Sequence, residues 1–124
     1  MANIGLTKSY TAEGAISANT IVKVGANDYG ILQGAAATDK LIGISTEIPA
    51  ISGERADVVH EGIADLKLGG TVARGDLLTS DATGQGVTAA PAAGSNVRII
   101  GMALISGVVG DIIPVKVAPG SLQG

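Results

Sequence analysis

The chain of 124 residues has no cysteine, no phenylalanine and no tryptophan, and its only histidine is His60. Without cysteine there is no disulfide framework and no thiolate metal site, and the redox compartment leaves no trace. Aromatic residues make up 2% of a chain that is 46% hydrophobic, so the interior has to be assembled from Val, Ile, Leu and Ala. Aliphatic side chains bury less area each than aromatic ones, which leaves partner contacts to supply part of the stability. Charged residues are also scarce, at 15%, and the net charge is −3. The cations Lys8, Lys23, Lys40, Arg55, Lys67, Arg74, Arg98 and Lys116 are scattered. Nucleic-acid binding is not expected, because neutralising a phosphate backbone needs clustered cations. No apolar run approaches the ~18 residues of a membrane span. The start, MANIGLTKSYTAEG, lacks the apolar stretch of a signal peptide, so the expectation is a soluble product of the cytosol. Helical periodicity is missing too, apart from one possible turn at Ala35–Lys40.

What the chain does have is glycine, 19 residues of it, set between short β-branched runs. That pattern predicts strands and tight turns. Thr20–Val24 and Gly30–Gln33 read as a hairpin, Leu41–Thr46 as a third strand and Leu77–Ser80 as a short one. Val97–Ser106 and Asp111–Ala118 read as two longer ones. Pro114 cannot donate to a ladder, which predicts an edge or a bulge there. The centre is Gly53–Leu68, where Asp57, Glu61, Asp65 and Lys67 occupy odd positions and Val58, Ala64, Leu66 and Leu68 even ones. A period of two gives one charged and one apolar face, and the segment's length predicts two strands meeting at Gly62.

The two halves repeat each other. Gly30-Ile31 matches Gly86-Val87 at an offset of 56, Leu41–Ser45 matches Ile99–Ala103 at 58, and Gly53-Glu54 with Val58 matches Gly110-Asp111 with Val115 at 57. Thr20-Ile21 and Thr71-Val72 match at 51, which implies a longer turn in the second copy. The expected fold is therefore all-β, a small β-barrel or β-sandwich built from two similar units, about 20–60 and 71–118, within a single domain, 20–118. Residues 1–19 are expected as an N-terminal arm, either a first edge strand or an arm reaching a partner's sheet. Residues 119–124 are expected as a C-terminal tail.

No constellation for catalysis emerges. His60 lies on the apolar side of its strand with no zinc ligand or nucleophile motif to join, and reads as a hydrogen-bonded structural residue. Asp28, Asp76 and Asp81 lie in glycine-rich turns without calcium-loop spacing and read as turn formers. Gly84–Ala89 fits G-x-G-x-x-A, but Pro91 prevents the helix that a dinucleotide site needs. Glu61 and Asp65 could pose as a hydrolytic carboxylate pair, yet they share a solvated face without an aromatic platform for sugar.

Four stretches together resemble a known family: G-E-x-A-D-V-V and E-G-I-A-D-L over Gly53–Leu66, the V-A-R-G-D-L-L-T-S-D-A-T-G-Q-G-V-T-A-A hairpin from Val72 to Ala90, I-I-G-M-A-L from Ile99, and the closing G-D-I-I-P-V-K-V from Gly110. Their order is similar to that of the small head decoration, or capsid cement, proteins of tailed bacteriophages. The resemblance implies an all-β protein that binds the major capsid protein on the outer surface of an expanded head and stabilises it. It implies self-association, most often as homotrimers, and an arm engaging the lattice. It brings no catalytic residue, cofactor or metal. For the arm's contacts, apolarity selects Ile4, Leu6 and Tyr10. The alternative from another class is a β-sandwich module of a phage tail or surface assembly, and a small hydrolase comes third.

Overall fold

The computed structural model describes residues 4–124, with side chains from Leu6 onward. Among them the β-branched runs all become strands, and every ordered element is a strand. In chain order these are β1 (Ile4–Ala12), β2 (Ile21–Val24), β3 (Gly30–Gln33), β4 (Leu41–Ser45), β5 (Arg55–Lys67), β6 (Leu77–Ser80), β7 (Gly86–Thr88), β8 (Asn96–Ala103) and β9 (Ile112–Gln123). The all-β expectation holds, and the barrel alternative is the one realised.

The first five strands close on themselves in the order β1-β3-β2-β4-β5, with β5 returning to β1. Alternation along the strands puts Ala12, Val22, Ile31, Ala56 and Val58 into one core, with Tyr10 and Ile42 packed against it. The sheet continues from β5 through β9, β8, β6 and β7, and a parallel bridge from Leu68 to Gly86 links its far end back to the end of β5. The second core gathers Leu66, Leu68, Leu78, Ile100, Ile113 and Val115. It also takes in Ile21, Leu41, Ile44 and Val59, side chains of the first ring's wall, so the two units are fused through a dry interface.

The repeat survives at the level of individual strand pairs. Tyr10 faces Ala56 as Leu66 faces Ile113, and Lys8 faces Val58 as Ala64 faces Val115. Ile44 faces Val59 as Met102 faces Lys116, and Val22 faces Gly43 as Leu78 faces Gly101. Two of the sequence matches shift. Ile31 stands where Gly86 does, each opposite the last residue of its partner strand, one residue off the match read above. Ile21 corresponds to Leu77 rather than Val72, since each faces the same β4 or β8 position. Val72 is instead the counterpart of Ile16, the two making equivalent bridges to Gly107 and Ala50. Short Thr-Ile and Thr-Val dipeptides carry too little information to fix a register.

Two expectations, the break in Gly53–Leu68 and the C-terminal tail, are corrected by pairing. Gly53–Leu68 is not two strands: β5 runs unbroken over 13 residues. Gly62, at φ 96°, sits beside an irregularity in the β1 ladder and bends the strand without ending it. Within residues 1–19, Ile4–Ala12 is β1, laid antiparallel on β5 from Ile4↔Gly62 to Thr11↔Arg55, so of the readings left open for this segment its described part takes the strand. The tail 119–124 is the end of β9, whose Gln123 pairs with Asn96. Pro114 pairs with Asp65 of β5 but has no ladder partner in β8, a local edge of the kind its missing donor predicts. The β8 ladder stops at Ala103↔Val115, so no donor is demanded of the proline on that side.

Candidate functional site

The first ring opens at one end into a wide groove, and most of the chain's unusual side chains collect around it. The middle parts of β1 and β9, the start of β4 and the His60–Gly62 stretch of β5 line it. Tyr10 and His60 meet there across the β1–β5 ladder, their Oη and Nε2 atoms 2.6 Å apart and their ring centroids at 5.5 Å. Burial holds the Tyr10 phenol above its ordinary pKa, and the Tyr29 phenol adds to the shift. Tyr10 therefore stays protonated at neutral pH and can donate to the imidazole. The bond ties two strands together, in a groove lined both by Leu6, Leu41, Ile42 and Pro119 and by the charged Lys8, Glu61 and Lys116. His60 is thus the hydrogen-bonded residue its strand position implied.

Of the site residues selected from sequence, Leu6 and Tyr10 line this groove. Leu6 stands on the rim and is 51% exposed, and Tyr10 is half-buried in the His60 bond. Ile4 pairs through its backbone with Gly62, while its side chain lies outside the described residues. Sequence reading missed Lys8 and Tyr29. The Lys8 ammonium lies 5.2 Å from the centre of the Tyr29 ring, within cation–π range. Tyr29 is 67% exposed and held at φ 60°, a conformation costly for an aromatic residue. The sequence did carry one signal, since both tyrosines and the only histidine lie in the first 60 residues.

The turn carboxylates serve the backbone. Asp81 Oδ1 accepts from the Thr83 and Gln85 amides at 2.9 Å each, and Asp76 Oδ2 accepts from Ala73 N–H and the Thr88 hydroxyl. Glu13 reaches across to accept from the amides of Ala26 and Asn27, and these bonds pull its pKa below the usual carboxylate range. Among the described residues no three His, Asp or Glu groups converge as a metal site would require. Glu61 and Asp65 are both exposed.

Outside the groove, the surface is most apolar at two loops. Ile48 and Ile51, in the turn before β5, are 72% and 65% exposed. Ile105, Val108 and Val109, in the turn before β9, are 46%, 55% and 66% exposed.

Residues 2–111 match the phage cement protein family, and the chain belongs to it. Among solved structures it is similar to the head fibre gp8.5 N base of bacteriophage phi29, at 15% identity and a TM-score of 0.66, over 96% of this chain and 98% of that one. That likeness establishes the shared fold. No curated protein matches the sequence significantly. Family membership makes this a structural protein associated with the phage capsid.

Proposed function

We propose that the protein decorates the outer surface of the expanded phage head, binds its major capsid protein and stabilises the shell without catalysis. The observation that carries this reading is the family match across nearly the whole chain. The build is consistent with it: a rigid, hydrogen-bonded body needs only surface complementarity, and many copies per shell let modest contacts add up through avidity. The protein acts as a homotrimer, and the β1 segment with Leu6 and Tyr10 lies against the shell, because Leu6 is an exposed apolar side chain beside an open groove.

The test is light scattering of the free protein, then sedimentation with expanded, undecorated heads. Co-sedimentation together with a trimeric free mass supports the reading; a protein that never associates with heads discards it. The β1 contact needs a point variant. Removing residues 1–12 would also strip a strand paired with β5 and the buried Ala12, and so disturb the fold. Leu6→Asp should weaken head binding at least tenfold while leaving thermal unfolding in place. Unchanged binding would remove β1 from the interface.

A further inference from the structure

The two apolar loops are the same device made twice. The sequences are Ile48-Pro49-Ala50-Ile51-Ser52-Gly53-Glu54 and Ile105-Ser106-Gly107-Val108-Val109-Gly110-Asp111, which share I-x-x-[IV]-x-G-[ED]. In each, the glycine turns the chain at φ 90°. In each, the carboxylate reaches back three residues to accept from a backbone amide, Glu54 Oε1 from Ile51 at 2.9 Å and Asp111 Oδ2 from Val108 at 3.0 Å. The base of each loop is pinned by a reciprocal pair of backbone bonds, Ile16 with Ala50 and Val72 with Gly107. The loops are therefore stiff platforms, and what they hold into solvent is aliphatic. Duplication has kept both the scaffold and the isoleucine or valine, which among the described residues remain largely exposed.

The shared strand places the two platforms at opposite ends of β5. The first loop leads into Arg55 at the start of β5. The second is bonded to the far end, where Leu68 N–H donates to Asp111. Thirteen residues of strand separate them. At ~3.3 Å per residue that is on the order of 40 Å. One chemistry offered twice at a fixed spacing matches a partner that repeats its own surface, as a shell of identical subunits does.

We propose that the loops at Ile48/Ile51 and Ile105/Val108 are two equivalent docking tips, each seated in an apolar depression on a different one of two neighbouring capsid subunits, so that one copy bridges them. This rests on the capsid-decoration reading above.

The experiment uses the full chain and three variants: Ile48→Asp with Ile51→Asp, Ile105→Asp with Val108→Asp, and all four together. All four positions are exposed, and thermal unfolding verifies that the fold is retained. Affinity for undecorated heads is measured by sedimentation. Each single-tip variant should still bind, but about 100-fold or more weaker, since losing one of two linked contacts forfeits avidity. The four-site variant should not bind. The proposal is overturned if either single-tip variant binds like the parent, or if one tip carries all the affinity. It is also overturned if the variants change the oligomeric mass of the free protein, because the tips would then join copies of this chain. Failure of the unsubstituted protein to bind heads would overturn the decoration reading and this proposal together, an outcome distinct from the others.

Discussion

The two units share a ladder of strand pairs and differ in what fills it. At the mouth of the first core Tyr10 stands opposite Ala56, with His60 beside it in the open groove. The equivalent positions in the second unit are Leu66 opposite Ile113, with Val117, all buried. A large and a small side chain in one copy are replaced by two medium ones in the other, so volume is roughly conserved while polarity is not. Duplicated backbones thus tolerate different interiors if total volume is kept. The copy that keeps polar groups is the one left open to solvent.

The same lesson appears in the turns. Glu13 places its carboxylate on the 25–30 turn from outside, and an added Cβ at Gly25 would lie 2.5 Å from it. In the second unit the roles are exchanged. Asp81 occupies the position of Gly25 and caps its own turn, and Gly69 occupies the position of Glu13, where a Cβ would meet Asp81 Oδ2 at 2.1 Å. One carboxylate per turn is required, but either of two strands can supply it.

The largest effects should come where the units agree. A Cβ at Gly101 would fall 1.9 Å from the Lys116 carbonyl oxygen, and one at Gly43 2.4 Å from that of Val59. These oxygens belong to equivalent paired strands and cannot withdraw. Gly101→Ala and Gly43→Ala should each lower the unfolding free energy by about 3 kcal/mol, the upper part of the overpacking range. Denaturant titration checks this, and a loss under about 1 kcal/mol at both sites would break the equivalence.

Next come the cores. Leu66→Ala should cost about 3 kcal/mol, as for other buried leucines. Tyr10→Leu with Ala56→Ile and His60→Val, which writes the second interior into the first, should leave stability within about 1 kcal/mol of the parent, as volume-conserving swaps do. If the groove belongs to the capsid contact, the same variant loses affinity for heads. A smaller effect is expected at Tyr29, whose counterpart is Gly84, also at positive φ. Tyr29→Gly should relieve strain and raise stability by about 1 kcal/mol. A destabilised variant would mean that the Lys8 contact outweighs the strain.

The smallest effect is a pH dependence. The Ala26 and Asn27 amides hold the folded pKa of Glu13 below its unfolded value. The stability this contributes is present above the ordinary carboxylate range and is lost as pH falls through the folded pKa. Glu13→Gln should therefore lower stability slightly in the neutral region and flatten the acid limb of the stability profile. An unchanged acid limb would mean that Glu13 does not cap the turn.

Much of this comparison was legible in the residues. Offsets of 57 and 58 from Gly53-Glu54 and Leu41–Ser45 predicted equivalences that the strand registers reproduce, because those stretches join a required glycine to a run of core positions. The Tyr10–His60 pair was not legible. Fifty residues separate its members, and only the β1–β5 pairing brings them together. That Ile4–Ala12 forms a strand of the ring was not fixed by sequence for a related reason: a strand with few apolar residues looks like a tail until its partner strand is known. The continuity of β5 escaped because glycine signals a bend and an end equally well, and only the ladders on either side of Gly62 distinguish them.

The unbroken course of β5 has a mechanical consequence. A pull between its two ends is directed along the strand, at right angles to the hydrogen bonds that join it to β1 and β9. Such a load shears many bonds at once, whereas a load across the sheet would unzip them one at a time. The protein should therefore resist stretching along this axis far better than peeling across it, behaving like a tie rod with an anchor plate at either end.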